Sequence, residues 1–445
     1  MRRFANLVSI ATVTAVLAVS QVMTGPATGA PGDRIWTSTY SSDEMFEHGI
    51  GAVLAPDGSR LYVTGYQGNG SDDDFATVAY DAATGSRIWV STYDAGGQDR
   101  TTAIAVDPDG SRVYVTGVSP GAGTEGDYAT VAYNATSGQE LWVARYDGPA
   151  HKLDEPRCIA VSASQVLVTG ASQTGRDPNY FDATTAVYEA ATGEELWTAT
   201  VAHDKSSDLA GSCAVSPDDA AFYVAGLHRI GLSRASAFTI KYGATSGLPL
   251  WSRRYDRTRR SWESAHTISI SPDGSRLYVA GITDVRGTED YLTLAYDANS
   301  GVLRWRRIYR ERFYEYPFGL AVAPDGETVL VSGDTGSKFL TLAYSSDGVE
   351  LWHRAFNPPG STLFRSIALA PDGSAAYITG WHEDDASTIA YEVASGRTMW
   401  TRKDPSVDPH TILSEPTGRA VYIAGTTQET SDYFVAAVEV QFRSI

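Results

Sequence analysis

Short runs in which apolar and polar residues alternate recur along the whole chain. One stretch holds AIAV (103–106), VYVTG (113–117), ATVAY (129–133) and LWVARY (141–146). A period of two marks half-buried strands. Between them lie turn signals. PDG (108–110) fixes φ with its proline and takes positive φ at its glycine, and ATSG (135–138) turns the chain in the same way. The pattern predicts four short antiparallel strands, joined by tight turns at one end and longer connections at the other.

This unit is written over and over. AYDAATGSRIW (79–89) returns as AYNATSGQELW (132–142), VYEAATGEELW (187–197), KYGATSGLPLW (241–251), AYDANSGVLRW (295–305) and AYEVASGRTMW (390–400), with a shorter copy, AYSSDGVELW, at 343–352. Tryptophans stand at 36, 89, 142, 197, 251, 305, 352 and 400, and a repeat near 50 residues with four strands per unit predicts an all-β propeller. Inner strand pairs begin near 49, 101, 156, 210, 265, 317, 364 and 409. RIWTSTY (34–40) is a tryptophan strand with no inner strands before it, and DYFVAAVEV (432–440) is a third strand with no tryptophan strand after it. The expected fold is therefore a single eight-bladed β-propeller of four-stranded antiparallel blades over 31–445. Strand 34–40 is expected to complete the last blade and remove an open edge.

The repeated motif resembles the tryptophan-docking repeat of the eight-bladed quinoprotein alcohol dehydrogenase propellers. Ala79, Asp81, Thr84, Gly85 and Trp89 fit each of its fixed positions. YVTG at 62–65 and 114–117 is also similar to bacterial surface propeller repeats. The resemblance implies the fold, with indoles wedged between blades. Its implied activity is a quinone-dependent dehydrogenase, but the chain lacks adjacent cysteines and C-x-x-C-H. The family's calcium ligands and catalytic aspartate find no specific residues here.

Composition adds a destination. Arg2 and Arg3 precede an apolar run from Leu7 to Val19, and small residues lie near Ala27 and Ala30, so 1–30 reads as a signal peptide and the mature chain as secreted. No second apolar run follows, so no membrane span is expected in the mature chain. A net charge of −18 argues against nucleic acid. Between Arg229 and Arg312, however, fifteen Lys/Arg face eight Asp/Glu, which marks a polar interaction surface.

The PDG and ATSG turns are uniform, whereas the connections at the opposite end vary, so binding residues belong on that variable face. Aligned on the PDG turn, Ile50, Thr102, Arg157, Gly211, His266, Phe318, Arg365 and His410 share one level at the mouth of the channel. Four of these, Arg157, His266, Arg365 and His410, suggest a pocket for an anionic ligand. Arg257, Arg259, Arg260, Trp262, Arg310, Arg312, Tyr314 and Tyr316 come from adjacent blade links. Arginines stacked on rings there suit a glycan, an anionic polymer or a protein partner. Asp72, Asp73 and Asp74 are the oxygen ligands calcium takes, but they match no EF-hand loop, and no metal or cofactor is expected. Cys158 and Cys213 lie on consecutive inner strands, one position out of register. A disulfide and two buried free thiols are both open, and Cα atoms beyond about 7 Å would exclude the bond. The residues show no catalytic constellation. The leading expectation is a secreted, monomeric, non-catalytic binding propeller. The alternative is an extracellular enzyme on the same scaffold, either quinone-dependent or a lyase or hydrolase.

Overall fold

The computed structural model describes residues 30–440 apart from 43–45, 122, 176–179, 204–205, 231–233, 259–260, 285–286, 312–314, 358–361 and 384. Segment 1–30, where a signal peptide is expected, lies outside the described residues except for its last position. The described chain is all β, with thirty-two strands and no helix. Six sheets have four strands each. A seventh has eight, because two four-strand runs are joined by a single parallel bridge between Ala235 and Trp262. Taken in chain order, the four-strand units span Phe46–Tyr93, Arg100–Tyr146, Asp154–Val201, Ser207–Tyr255, Trp262–Tyr309, Glu315–Phe356 and Thr362–Pro405. The last is Val407–Glu439 with Arg34–Tyr40 as its outer strand, paired antiparallel from Tyr40↔Tyr433 to Arg34↔Val438.

Innermost strands of successive units touch one another, and Val407–Ser414 touches Phe46–Leu54, so the contacts run in a closed cycle. Cores of buried aliphatic and aromatic residues fill the gaps between consecutive sheets, as where Tyr62, Phe75 and Trp89 meet Val113, Val131 and Tyr133.

Seven of the eight docking tryptophans donate through Nε1 to a carbonyl of the next unit, and Trp400 Nε1 makes no such bond among the described residues. Trp89 Nε1 donates to the Ala135 carbonyl at 3.1 Å, Trp142 to Ala190 at 3.1 Å and Trp251 to Ala298 at 3.1 Å. The indole rests on the glycine of that unit's turn. A Cβ at Gly85 would sit 2.4 Å from the Trp36 ring, and one at Gly193 2.6 Å from Trp142. The glycine thus supplies both positive φ and a flat floor for the ring, which is why Gly and Trp persist while the other motif positions drift. In the last gap Trp400 lies over Gly32 instead, and the 30–33 turn is tied to the final strand through Gly32 N to Glu439 O at 3.0 Å and Glu439 N to Asp33 O at 2.8 Å.

Candidate functional site

The eight residues that alignment places at one level share a structural cause. Each is the unpaired residue of a β-bulge in an innermost strand. The register skips Ile50, Thr102, Arg157 and Gly211, and likewise His266, Phe318, Arg365 and His410. A bulge bends its strand and re-aims one side chain. Here it does so in every unit, giving a rim of eight positions. The facing strand carries the glycine of the VTG motif or of a variant such as VAG, and a Cβ there would strike the bulged backbone: 1.9 Å from the His48 carbonyl at Gly65, 1.9 Å from the Glu155 carbonyl at Gly170 and 1.8 Å from the Ser264 carbonyl at Gly281. That glycine is the sequence signal for the rim.

The rim's basic groups are balanced. Arg365 donates to both oxygens of Asp408, at 2.7 and 3.0 Å. Arg157 donates to Glu155 at 3.0 Å. His410 and His48 meet edge to face, with centroids 5.4 Å apart. Burial lowers the His410 pKa to about 4, Arg365 and His48 add to the fall, and Asp408 opposes it. Burial lowers His48 as well. His266 is also lowered by burial, against the support of its Nδ1–H bond to the Pro317 carbonyl at 3.1 Å. At neutral pH the rim therefore presents neutral imidazoles and paired guanidinium groups, not four free cations.

Beside this sector, burial raises Asp334 to about 7, although its two oxygens accept the Phe364 N–H at 2.8 and 2.9 Å and Arg365 pulls the other way. The folded state therefore binds a proton more tightly than the unfolded chain does. The contribution is most favourable below the unfolded carboxylate range near pH 4, and it is lost as pH rises through about 7. Asp334→Asn is expected to gain a few °C in melting temperature relative to the parent between pH 5 and pH 8.5. A difference that does not change with pH would dismiss the effect.

One part of the rim is aromatic. Tyr316, Phe318 and His266 stack in a row, Tyr316 to Phe318 at 6.2 Å and 10°, Phe318 to His266 at 5.4 Å and 12°. Phe318 is 46% exposed although it belongs to an innermost strand. The Tyr316 hydroxyl is fixed by the Glu289 carboxylate. A cleft of about 490 Å³ opens elsewhere on the rim, lined by Arg100, Thr102, Glu155 and Arg157.

Of the basic and aromatic links, Arg259, Arg260, Arg312 and Tyr314 lie outside the described residues. Trp262 forms the bridge to Ala235, with the Arg229 guanidinium 5.9 Å from its ring. Arg310 grips the buried Asp290 at 2.9 Å through Nε. Arg257 is partly buried. Asp73 is fully buried and paired with Arg100 at 2.7 Å, while Asp72 and Asp74 gather with Asp94. Cys158 and Cys213 are disulfide-bonded, with Cα atoms 5.9 Å apart, and the bond ties two neighbouring inner strands. His203, Asp208 and His228 come together through strand register, which no spacing in the sequence shows: Asp208 lies opposite His228.

Thirty-two antiparallel strands in a cycle of sheets, sealed by indoles, define a β-propeller with PQQ-like repeats. A family model described as outer membrane protein assembly factor BamB matches residues 25–254, 236–406 and 293–437, and the chain belongs to that family. No curated protein matches. Among solved structures, the Dos1 propeller is similar with a TM-score of 0.62 at 9% identity, covering 91% of this chain and 95% of that one. The C-terminal WD40 domain of Sif2 has a TM-score of 0.57 at 11% identity, covering 90% and 98%. Kuenenia stuttgartiensis hydrazine synthase has a TM-score of 0.51 at 15% identity, covering 76% and 95%. At these identities the likeness is one of fold.

Proposed function

We propose that this chain is an exported, non-catalytic, eight-bladed propeller that binds a glycan through the aromatic sector of its rim. The observation that carries the reading is the row of near-parallel rings centred on exposed Phe318, held on a bulge and flanked by Tyr316 and His266. Such a platform offers a flat apolar face, and neutral imidazoles and paired arginines beside it supply hydrogen-bond partners without strong net charge. A sugar ring has that same combination of an apolar face and a hydroxylated edge. Export agrees with the basic and apolar segment at the start of the chain. The family's description as an assembly factor agrees with a binding role.

The test is a binding screen against cell-surface polysaccharides and their oligosaccharides, followed by titration calorimetry of any hit. Phe318→Ala is expected to weaken binding about tenfold or more, equivalent to about 1.4 kcal/mol, with little change in melting temperature because the ring is half exposed. Arg259→Ala/Arg312→Ala tests the basic links in parallel. Unchanged affinity in Phe318→Ala, with loss in the double variant, would move the binding surface from the rim to the links.

A further inference from the structure

Six of the eight units bury a carboxylate three residues before the bulge: Glu47, Asp99, Asp154, Asp208, Glu263 and Glu315, all 1% exposed or less. In five of them the carboxylate accepts a backbone N–H from the link entering the unit. Ser42 donates to Glu47 at 2.7 Å, Ala95 to Asp99 at 2.8 Å, Gly148 to Asp154 at 2.6 Å and Glu311 to Glu315 at 2.5 Å. The Arg257 backbone serves Glu263. These five brace the links.

Asp208 occupies the same place and holds two imidazoles. Its Oδ1 meets His228 Nδ1 at 2.5 Å and its Oδ2 meets His203 Nδ1 at 3.0 Å. The two rings lie 4.1 Å apart. His228 is buried, while His203 is exposed at the edge of a cavity of about 400 Å³, whose lining includes Val201, Phe238 and Arg254. Ligand atoms of the three residues lie within 4.8 Å of one another. Cross-strand from the equivalent carboxylates stand Ser172, Thr283 and Thr335, so an imidazole at this register belongs to one unit among these four.

We propose that His203, Asp208 and His228 bind a borderline divalent cation of the zinc class. Two imidazoles and one carboxylate are a ligand set such ions favour. Metal–ligand bonds near 2.1 Å place tetrahedral ligand atoms about 3.4 Å apart, so the present contacts need to open by less than about 1 Å. The exposed His203 can move to allow this. The ion takes the place of the two Nδ1 protons, each of which passes to Nε2 of its own ring, so no net proton is released from neutral imidazoles. Cavity water fills the remaining position, and Arg254, donating to Ser236 Oγ at 3.1 Å, makes an anion acceptable there as well.

The experiment is calorimetric titration of untagged, chelator-stripped protein with zinc chloride. One ion per chain is expected. His203→Ala removes an exposed ring and should melt like the metal-free parent while weakening zinc binding by at least the roughly 10–100-fold that is lost with a residue merely supporting a metal ligand. His228→Ala should also weaken zinc binding, with a lower melting temperature because its ring is buried against Asp208, and His353→Ala, on an exposed outer strand, should change nothing. No saturable binding in the parent, or equal affinity in His203→Ala, overturns the site. Should His228→Ala fail to fold, the His203→Ala comparison still decides.

Discussion

Gly85→Ala is expected to destabilise the protein by about 2–4 kcal/mol, read as a lowered denaturant midpoint. Two costs add. Gly85 has φ +73°, where a Cβ is strained, and that Cβ would lie 2.4 Å from Cε3 of Trp36. The ring cannot retreat. It is 6% exposed, packs on Tyr422 at 5.9 Å and donates through Nε1 to the Ala82 carbonyl at 3.1 Å. Gly96→Ala separates the two costs. Gly96 has φ +88° with nothing within 4 Å of an added Cβ, so only the backbone strain of about 1 kcal/mol remains. Equal losses in the two variants would show that the glycine serves the turn alone and that the indole contact is incidental.

The second large effect concerns the outer strand of the last unit. Beginning the chain at Ser41 should lower the melting temperature by at least about 10 °C and produce soluble aggregates on size exclusion. Segment 30–40 touches three units at once. It pairs along Tyr433–Glu439, ties Arg34 to the buried Asp404, accepts Arg402 Nη1 at the Gly32 carbonyl at 2.7 Å, and sends Tyr40 Oη to Gln67 at 2.8 Å. Its removal leaves a bare strand edge and uncovers the indole of Trp400. A synthetic peptide spanning 30–42 should restore part of the lost stability when added in trans. A shortened chain that melts within a degree or two of the parent would contradict this account.

The rim was half legible. Aligning the units on PDG picked out the eight bulge positions because the turn-to-bulge distance is the same in every copy. The alignment did not reveal that these positions are bulges, although the VTG glycines record it. Nor could it assign charge. Arg365 and His410 read as cations in sequence, yet Asp408, two residues before His410, neutralises the first, and burial discharges the second. Phe318 read as one more residue at that level. Its partners Tyr316 and His266 come from its own strand and from the neighbouring unit.

The sequence by itself determined the alternation, the turns, the repeat length and the strand left over at each end. These are local features, fixed by steric preference and by period, and together they specify how sheets form and how the first strand meets the last. Only the tertiary structure decided which side chains share a low-dielectric space. Strand register set Asp208 opposite His228, and the packing of one unit on the next buried Asp334 and the rim histidines. Charge state and ligand geometry depend on neighbours far apart in the chain, so no local pattern carries them.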